Sequence, residues 1–129
     1  MNYRRQPGIQ EDLVLRASDG SDPRMSIAVE ESHKSPQTHK LGAALFRRAK
    51  FLSKGYNCYK SHPEFGARND WGFLHAEMHA LYNALKKGID VRGATLFVFR
   101  KNARIAKPCA HCQRILRRYG VREVIYSDD

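Results

Sequence analysis

The first 22 residues are polar and irregular, interrupted by Ile9 and by the apolar run Leu13-Val14-Leu15. That run suits a short helix or a strap laid on the core, so 1–22 reads as an N-terminal strap on a core spanning 23–127. Asp19-Gly20-Ser21-Asp22-Pro23 is a turn leading into a helix, with Asp22 as the cap and Pro23 in the first helical position. The helix is expected from Pro23 to Lys34, burying Ile27 and either Val29 or Ala28, and Ser35-Pro36 ends it.

Leu41 to Phe46 is an uninterrupted apolar run of strand length. Arg47-Arg48-Ala49 supplies a hairpin turn, and Phe51 to Tyr56 a second strand. Pro63, Gly66, Asn69, Asp70 and Gly72 mark 57–73 as loop. From Leu74 to Lys87 the period changes: Leu74, Met78, Leu81, Tyr82 and Leu85 recur at spacings of three and four, and Gly88 stops the helix. Thr95 to Phe99 is a strand, 109–119 a helix stopped by Gly120, and Val121 to Tyr126 a last strand. Strands joined through helices pair in parallel, whereas the first two are close enough for an antiparallel hairpin. The expected fold is therefore α/β: a three-layer sandwich, with a mixed sheet between helices on both faces.

Size and composition narrow this only slightly. The chain has 129 residues, 42% hydrophobic and 28% charged, which suits a single domain over 1–129. No apolar run is long enough for a membrane span and the start lacks a secretory signal, so no membrane partner and a cytoplasmic location are expected. Three cysteines, Cys58, Cys109 and Cys112, do not make a disulfide framework. Charge adds more. The net +10 arises wholly beyond residue 40, because 1–40 holds six cations and six acids. Residues 100–122 contain Arg100, Lys101, Arg104, Lys107, Arg114, Arg117, Arg118 and Arg122 with no acid. Such a surface either keeps the protein soluble or attracts phosphate, on a nucleotide or a polynucleotide.

Two motifs carry the candidate chemistry: His75-Ala76-Glu77 opening one helix, and Pro108-Cys109-Ala110-His111-Cys112 opening the next. Cys109 and Cys112 are three apart on a helix start, so both sulfurs face the same way and their thiolates gain from the positive helix end. With His75 they form a three-ligand set for Zn2+, leaving the fourth tetrahedral position open. A zinc-bound water has a pKa of about 7. Glu77, two residues past the histidine, then suits general acid/base work in hydrolysis at an amidine-like ring carbon. A thioredoxin-like redox pair would follow the first strand, and here Cys-x-x-Cys comes late. His79 and His111 are competing ligands; His79 is expected in the core or behind the ligands, and His111 outward with Arg114 and Arg118. Cys58 is expected as a small packed residue.

The pattern His75-x-Glu77…Pro108-Cys109-x-x-Cys112 resembles the cytidine/deoxycytidylate deaminase superfamily over roughly 41–127. The resemblance implies His75, Cys109 and Cys112 as zinc ligands, Glu77 as proton shuttle, and Asn57 as a contact to sugar or base. Tyr59, Lys60 and Trp71 of the loop before His75 offer rings for stacking and a cation for phosphate. Ala76 and Pro108 complete the candidate substrate-binding set. A histidine as first ligand is similar to the deoxycytidylate, tRNA-adenosine and polynucleotide branches. Most relatives continue past the fourth strand into a fifth, so an open edge at the final strand, and pairing between chains into a homo-oligomer, is expected.

Three readings follow. The first is zinc-dependent hydrolytic deamination of a cytosine-type base in a free nucleotide or nucleoside. The second is deamination of cytosine or adenine in single-stranded DNA or RNA. The third is a non-catalytic module with structural zinc, which Glu77 argues against because a structural site needs no acid/base group.

Overall fold

The computed structural model describes residues 12–59, 65, 74–102 and 105–128. Strand β1 (Val14–Ala17) precedes helix α1 (Met25–Ser32), the hairpin β2 (Leu41–Arg47) and β3 (Lys50–Tyr56), helix α2 (Ala76–Lys86), β4 (Thr95–Arg100), α3 (Ala110–Arg118) and β5 (Glu123–Tyr126). The sheet order is β1-β5-β4-β2-β3. β1, β5 and β4 run parallel, while β2 is antiparallel to both β4 and β3. The mixed sheet and the hairpin agree with the sequence expectation.

Side-chain alternation divides the core into two layers. Ala43 and Leu45 of β2, Leu96 and Val98 of β4 and Val124 of β5 face α2 and α3. Ala44, Phe46, Phe97 and Ile125 face α1, where Met25 and Ala28 pack on them. Helices thus cover both faces, which makes the sandwich three-layered. Two glycines set how closely the helices approach. A Cβ on Gly42 would lie 2.0 Å from the Ala28 carbonyl oxygen, and one on Gly55 would lie 2.4 Å from the Ala80 nitrogen. Only a residue without a Cβ lets α1 and α2 lie so near the strands. Ser53 Oγ donates to the Ala80 carbonyl and Asn83 Nδ2 to that of Lys54, which fixes α2 along β3.

Three expectations change. Leu13-Val14-Leu15, expected as a short helix or strap, leads into a strand: β1 pairs in parallel with β5, from Val14 opposite Glu123 to Ala17 opposite Tyr126, while residues 1–11 of the expected N-terminal strap lie outside the described residues. The edge of β5 is therefore covered from within the chain, because β1 supplies it with backbone partners. The helix after Pro23 begins at Met25; the Asp22 carboxylate caps the turn by accepting the Arg24 N–H at 2.9 Å. Its buried stripe is Met25, Ala28, Glu31 and Ser32, leaving Ile27 and Val29 half-buried. A helix touching the sheet along one line buries residues three and four apart, and Ala28 is the only one of the expected residues on that line. No helix among the described residues is long and apolar enough to cross a membrane.

Candidate metal centre

The two motifs meet because both open helices on the same sheet face. His75 is extended, at φ −66° and ψ 155°, immediately before α2; Cys109 is extended, at φ −70° and ψ 167°, immediately before α3. Each residue sits where the chain turns into its helix, with its carbonyl accepting the first helical bond, from His79 N and Gln113 N respectively. Gln113 Nε2 also donates to the Pro108 carbonyl at 2.8 Å, holding the approach to Cys109. A two-residue bridge between Cys58 and Leu74 aligns the chain entering His75.

His75 Nδ1 lies 3.2 Å from Cys112 Sγ and 3.6 Å from Cys109 Sγ, and all three ligand atoms lie within 4.8 Å of one another. Zn–S bonds near 2.3 Å and Zn–N bonds near 2.0–2.1 Å place tetrahedral N and S ligands about 3.6 Å apart. The observed separations match that spacing, and two thiols with an imidazole are the donors zinc prefers. Cys112 is buried, His75 half-buried and Cys109 exposed, so the cluster opens toward solvent on the Cys109 side. No fourth His, Cys, Asp or Glu joins it among the described residues. The Cys109 thiol is pulled down to about 3, chiefly by hydrogen bonds from Cys112 and His75, which makes a thiolate available as a ligand.

Glu77 lies in the first turn of α2 with its side chain buried. Its Oε1 has no hydrogen-bond partner among the described residues. Burial pushes the carboxyl above its ordinary range, opposed more weakly by the charge of His75 and by its own backbone N–H. An unsatisfied carboxyl oxygen two residues from a ligand is a polar group with no protein partner to meet, and a metal-site water or substrate would satisfy it.

The competing histidines lie outside the cluster. His79 is buried, accepting the Tyr56 N–H at Nδ1 (3.1 Å) and meeting the Tyr56 ring edge to face. His111 is half-buried, with Nε2 3.2 Å from the Phe65 carbonyl oxygen and Nδ1 3.2 Å from Arg114. It faces the loop before α2, where bulk solvent was expected. Phe65 is buried between Tyr82 and Tyr119, so it plugs that loop onto the helices. Cys58 is buried in the core, as expected.

Of the candidate substrate contacts, Ala76 and Pro108 are buried beside the ligands they adjoin and Tyr59 is exposed. Lys60 and Trp71 lie outside the described residues, as do His62 and Arg68 of the same loop. Asn57 is buried and largely committed: Nδ2 donates to Gln37 Oε1 (2.9 Å) and to the His39 carbonyl (2.6 Å), and Oδ1 accepts from Leu41 N (2.9 Å). The sequence reading overlooked Gln37 and Ser127. Ser127 accepts from Arg100 N at Oγ (3.0 Å), and its carbonyl accepts from Ala106 N (2.9 Å), tying the end of β4 to the approach to Cys109. Neither residue carries a sequence signal, since both stand in short polar stretches at element ends.

An open thiolate–imidazole site at adjoining helix starts, on one face of a mixed sheet, defines a zinc-binding α/β sandwich. The family comparison is specific: residues 21–128 match the cytidine and deoxycytidylate deaminase zinc-binding region, and the chain belongs to that family. The deoxycytidylate deaminases of Enterobacteria phages T2 and T4 are each 26% identical over 68 residues, covering 53% of this chain and 31% of theirs. The match thus spans about a third of those relatives' length. Among solved structures, cytidine deaminase from Burkholderia pseudomallei superposes with TM-score 0.62 at 22% identity, over 80% of this chain and 81% of that one. The apo dCMP deaminase of cyanophage S-TIM5 gives TM-score 0.57 at 23% identity, over 80% and 82%. These likenesses establish the fold.

Proposed function

We propose that the chain catalyses zinc-dependent hydrolytic deamination of a cytosine-type base in a phosphate-bearing nucleotide. The observation that carries the reading is the three-ligand cluster with the buried, unpartnered carboxyl of Glu77 beside it. Family membership and the phage deoxycytidylate deaminases support cytosine and a nucleotide as substrate. His75, Cys109 and Cys112 would hold the zinc, which when bound supplies an acidified water as nucleophile at neutral pH.

Glu77 performs the proton chemistry. Its desolvated carboxyl carries a proton more readily than an exposed one, so it can accept a proton at Oε1 and return it to the ring nitrogen or to the departing amine. The start of α2 leaves the backbone N–H of Ala76 without a helical acceptor, which suits it to a base carbonyl. Asn57 holds the 37–41 segment and retains an acceptor lone pair on Oδ1 for a sugar hydroxyl. Tyr59, with Lys60 and Trp71, would wall the substrate, and Pro108 would shape the rim beside Cys109.

Two measurements test this together. Purified protein should contain about one zinc per chain and release ammonia from a cytosine nucleotide. Glu77→Ala should retain the zinc while turnover drops at least 100-fold, the scale of a lost general acid/base. Retained turnover in that variant would refute the role given to Glu77.

A further inference from the structure

Two buried donors lie unused at the edge of the sheet that carries the metal centre. Gln37 Nε2 and Arg100 Nε are buried and have no hydrogen-bond partner among the described residues. Buried N–H groups without acceptors are uncommon in folded proteins, and a guanidinium carries a full charge as well. The remaining nitrogens of Arg100 are not so enclosed, since the side chain is only partly buried at the end of β4.

Both donors lie along one edge of the sheet, Arg100 at one end of a row of paired residues and Gln37 at the other. Arg100 pairs with Leu41 across β4 and β2, and Leu41 packs against the core layer under α2 and α3. Paired residues of antiparallel strands project to one face, and Arg100 alternates in step with Leu96 and Val98 of that layer. Its side chain is therefore on the face that holds His75, Cys109 and Cys112. Leu41 N donates to Asn57 Oδ1, and Asn57 Nδ2 donates to Gln37 Oε1. Arg100, Leu41 and Asn57 thus form a row across three neighbouring strands, with strands spaced about 4.8 Å apart. Gln37 closes one end of the row, and one residue past Asn57 comes the Cys58–Leu74 bridge that leads into His75. Ser35 Oγ, bonded to the Asn57 carbonyl at 2.8 Å, fixes the segment that carries Gln37. Lys101, next to Arg100, is exposed and adds positive potential.

We propose that Arg100 and Gln37 form the subsite that binds the substrate's phosphate. An anionic oxygen has the lone pairs that an orphaned guanidinium N–H and amide N–H lack, and arginine's fork is suited to phosphate. The inference rests on the reading of the site as a nucleotide deaminase and assigns residues for the phosphate. The phosphate has two possible sources, the 5′-monophosphate of a free nucleotide or a phosphodiester in a strand.

The test compares kcat/KM for deoxycytidine, dCMP and an oligodeoxynucleotide with one cytosine, using zinc-loaded wild type, Arg100→Met and Arg117→Ala. Arg117 is a cation in the last turn of α3 and controls for general surface charge. Arg100→Met should lower the preference for dCMP over deoxycytidine by on the order of 10- to 100-fold, as expected for loss of charged hydrogen bonds. Arg117→Ala should leave that preference within twofold. If the recognised group is a phosphodiester, the oligonucleotide's preference collapses in Arg100→Met while that of dCMP does not. Unchanged preferences for both phosphate substrates would overturn the proposal. Gln37→Ala gives a second reading should Arg100→Met fail to fold: a smaller loss in the same direction supports the subsite, and none refutes it. If wild type deaminates nothing, the deaminase reading fails separately, and titration with dUMP and deoxyuridine followed by NMR still decides. Tighter binding of dUMP that weakens in Arg100→Met or Gln37→Ala supports the subsite; equal binding of both ligands overturns it.

Discussion

At the scale of single residues, the metal centre depends on a position that bears no functional group. His75 immediately precedes α2 and Glu77 belongs to its first turn, and α2 lies against β3 through Gly55. A methyl group there would meet main-chain atoms, the Ala80 nitrogen at 2.4 Å and the His79 carbonyl carbon at 2.8 Å, and backbone cannot swing aside as a side-chain tip can. Gly55→Ala should therefore push α2 outward and cost about 1–3 kcal/mol, the usual penalty of overpacking. Because the displaced helix carries a ligand, zinc affinity should fall with it. Gly20→Ala is the comparison: nothing lies near its Cβ, and its positive φ of 82° costs only local strain of about 1–2 kcal/mol. Thermal denaturation with a zinc-chelator competition separates the two, since only Gly55→Ala should alter both. If Gly55→Ala binds zinc as tightly as wild type, the metal centre does not depend on this contact.

At the scale of elements, the hairpin and the helix-joined strands were legible because their periods differ: β2 is an unbroken apolar run, whereas α2 repeats at three and four. The candidate metal ligands were legible too, because a late Cys-x-x-Cys at one helix start stands with His75-x-Glu77 at another, a combination that a redox pair does not need. β1 was not. Val14–Ala17 is four residues long and exposes Val14, Arg16 and Ala17, so its side chains carry no strand pattern, and backbone pairing with β5 determines its structure. Arg16 adds an exposed ion pair to Glu123 at 3.3 Å, and Val14 N donates to the Arg122 carbonyl at 3.1 Å. Proline at 14 removes that donor while leaving the core layers untouched. Val14→Pro should free the edge of β5, and an unpaired edge templates pairing with another chain. Light scattering over a concentration series should then show self-association beyond that of wild type. A variant with the wild-type concentration profile would mean that β1 does not shield this edge.

The whole molecule combines an anion-seeking surface with a small open site. Arg16, Arg24, Lys34, Lys54 and Arg92 are matched to carboxylates. Among the described residues Lys101, Lys107, Arg117 and Arg122 pair with no acid, and all four are exposed. The sequence displayed this excess without revealing its direction, because a run of cations in 100–122 is compatible with any face. Placed on the fold, Lys101 follows the exit of β4 and Lys107 the approach to Cys109, both on the side of the metal centre, whereas Arg117 and Arg122 lie at the far end, in the last turn of α3 and just before β5. Gln37 was invisible for the opposite reason: an isolated glutamine acquires meaning only when folding strips it of water. The field of the exposed cations should speed capture of phosphate and be screened within a Debye length of about 8–10 Å. The kcat/KM for a cytosine nucleotide should therefore decline as NaCl rises from roughly 0.05 to 0.5 M, while that for the uncharged nucleoside stays nearly level. An oligonucleotide tracked along α3 would decline more steeply, with a log–log slope near 0.7 per phosphate contacted, so the slope counts the phosphates engaged. Parallel decline of nucleoside and nucleotide would place the salt effect on the protein's own stability and remove the surface charge from substrate capture.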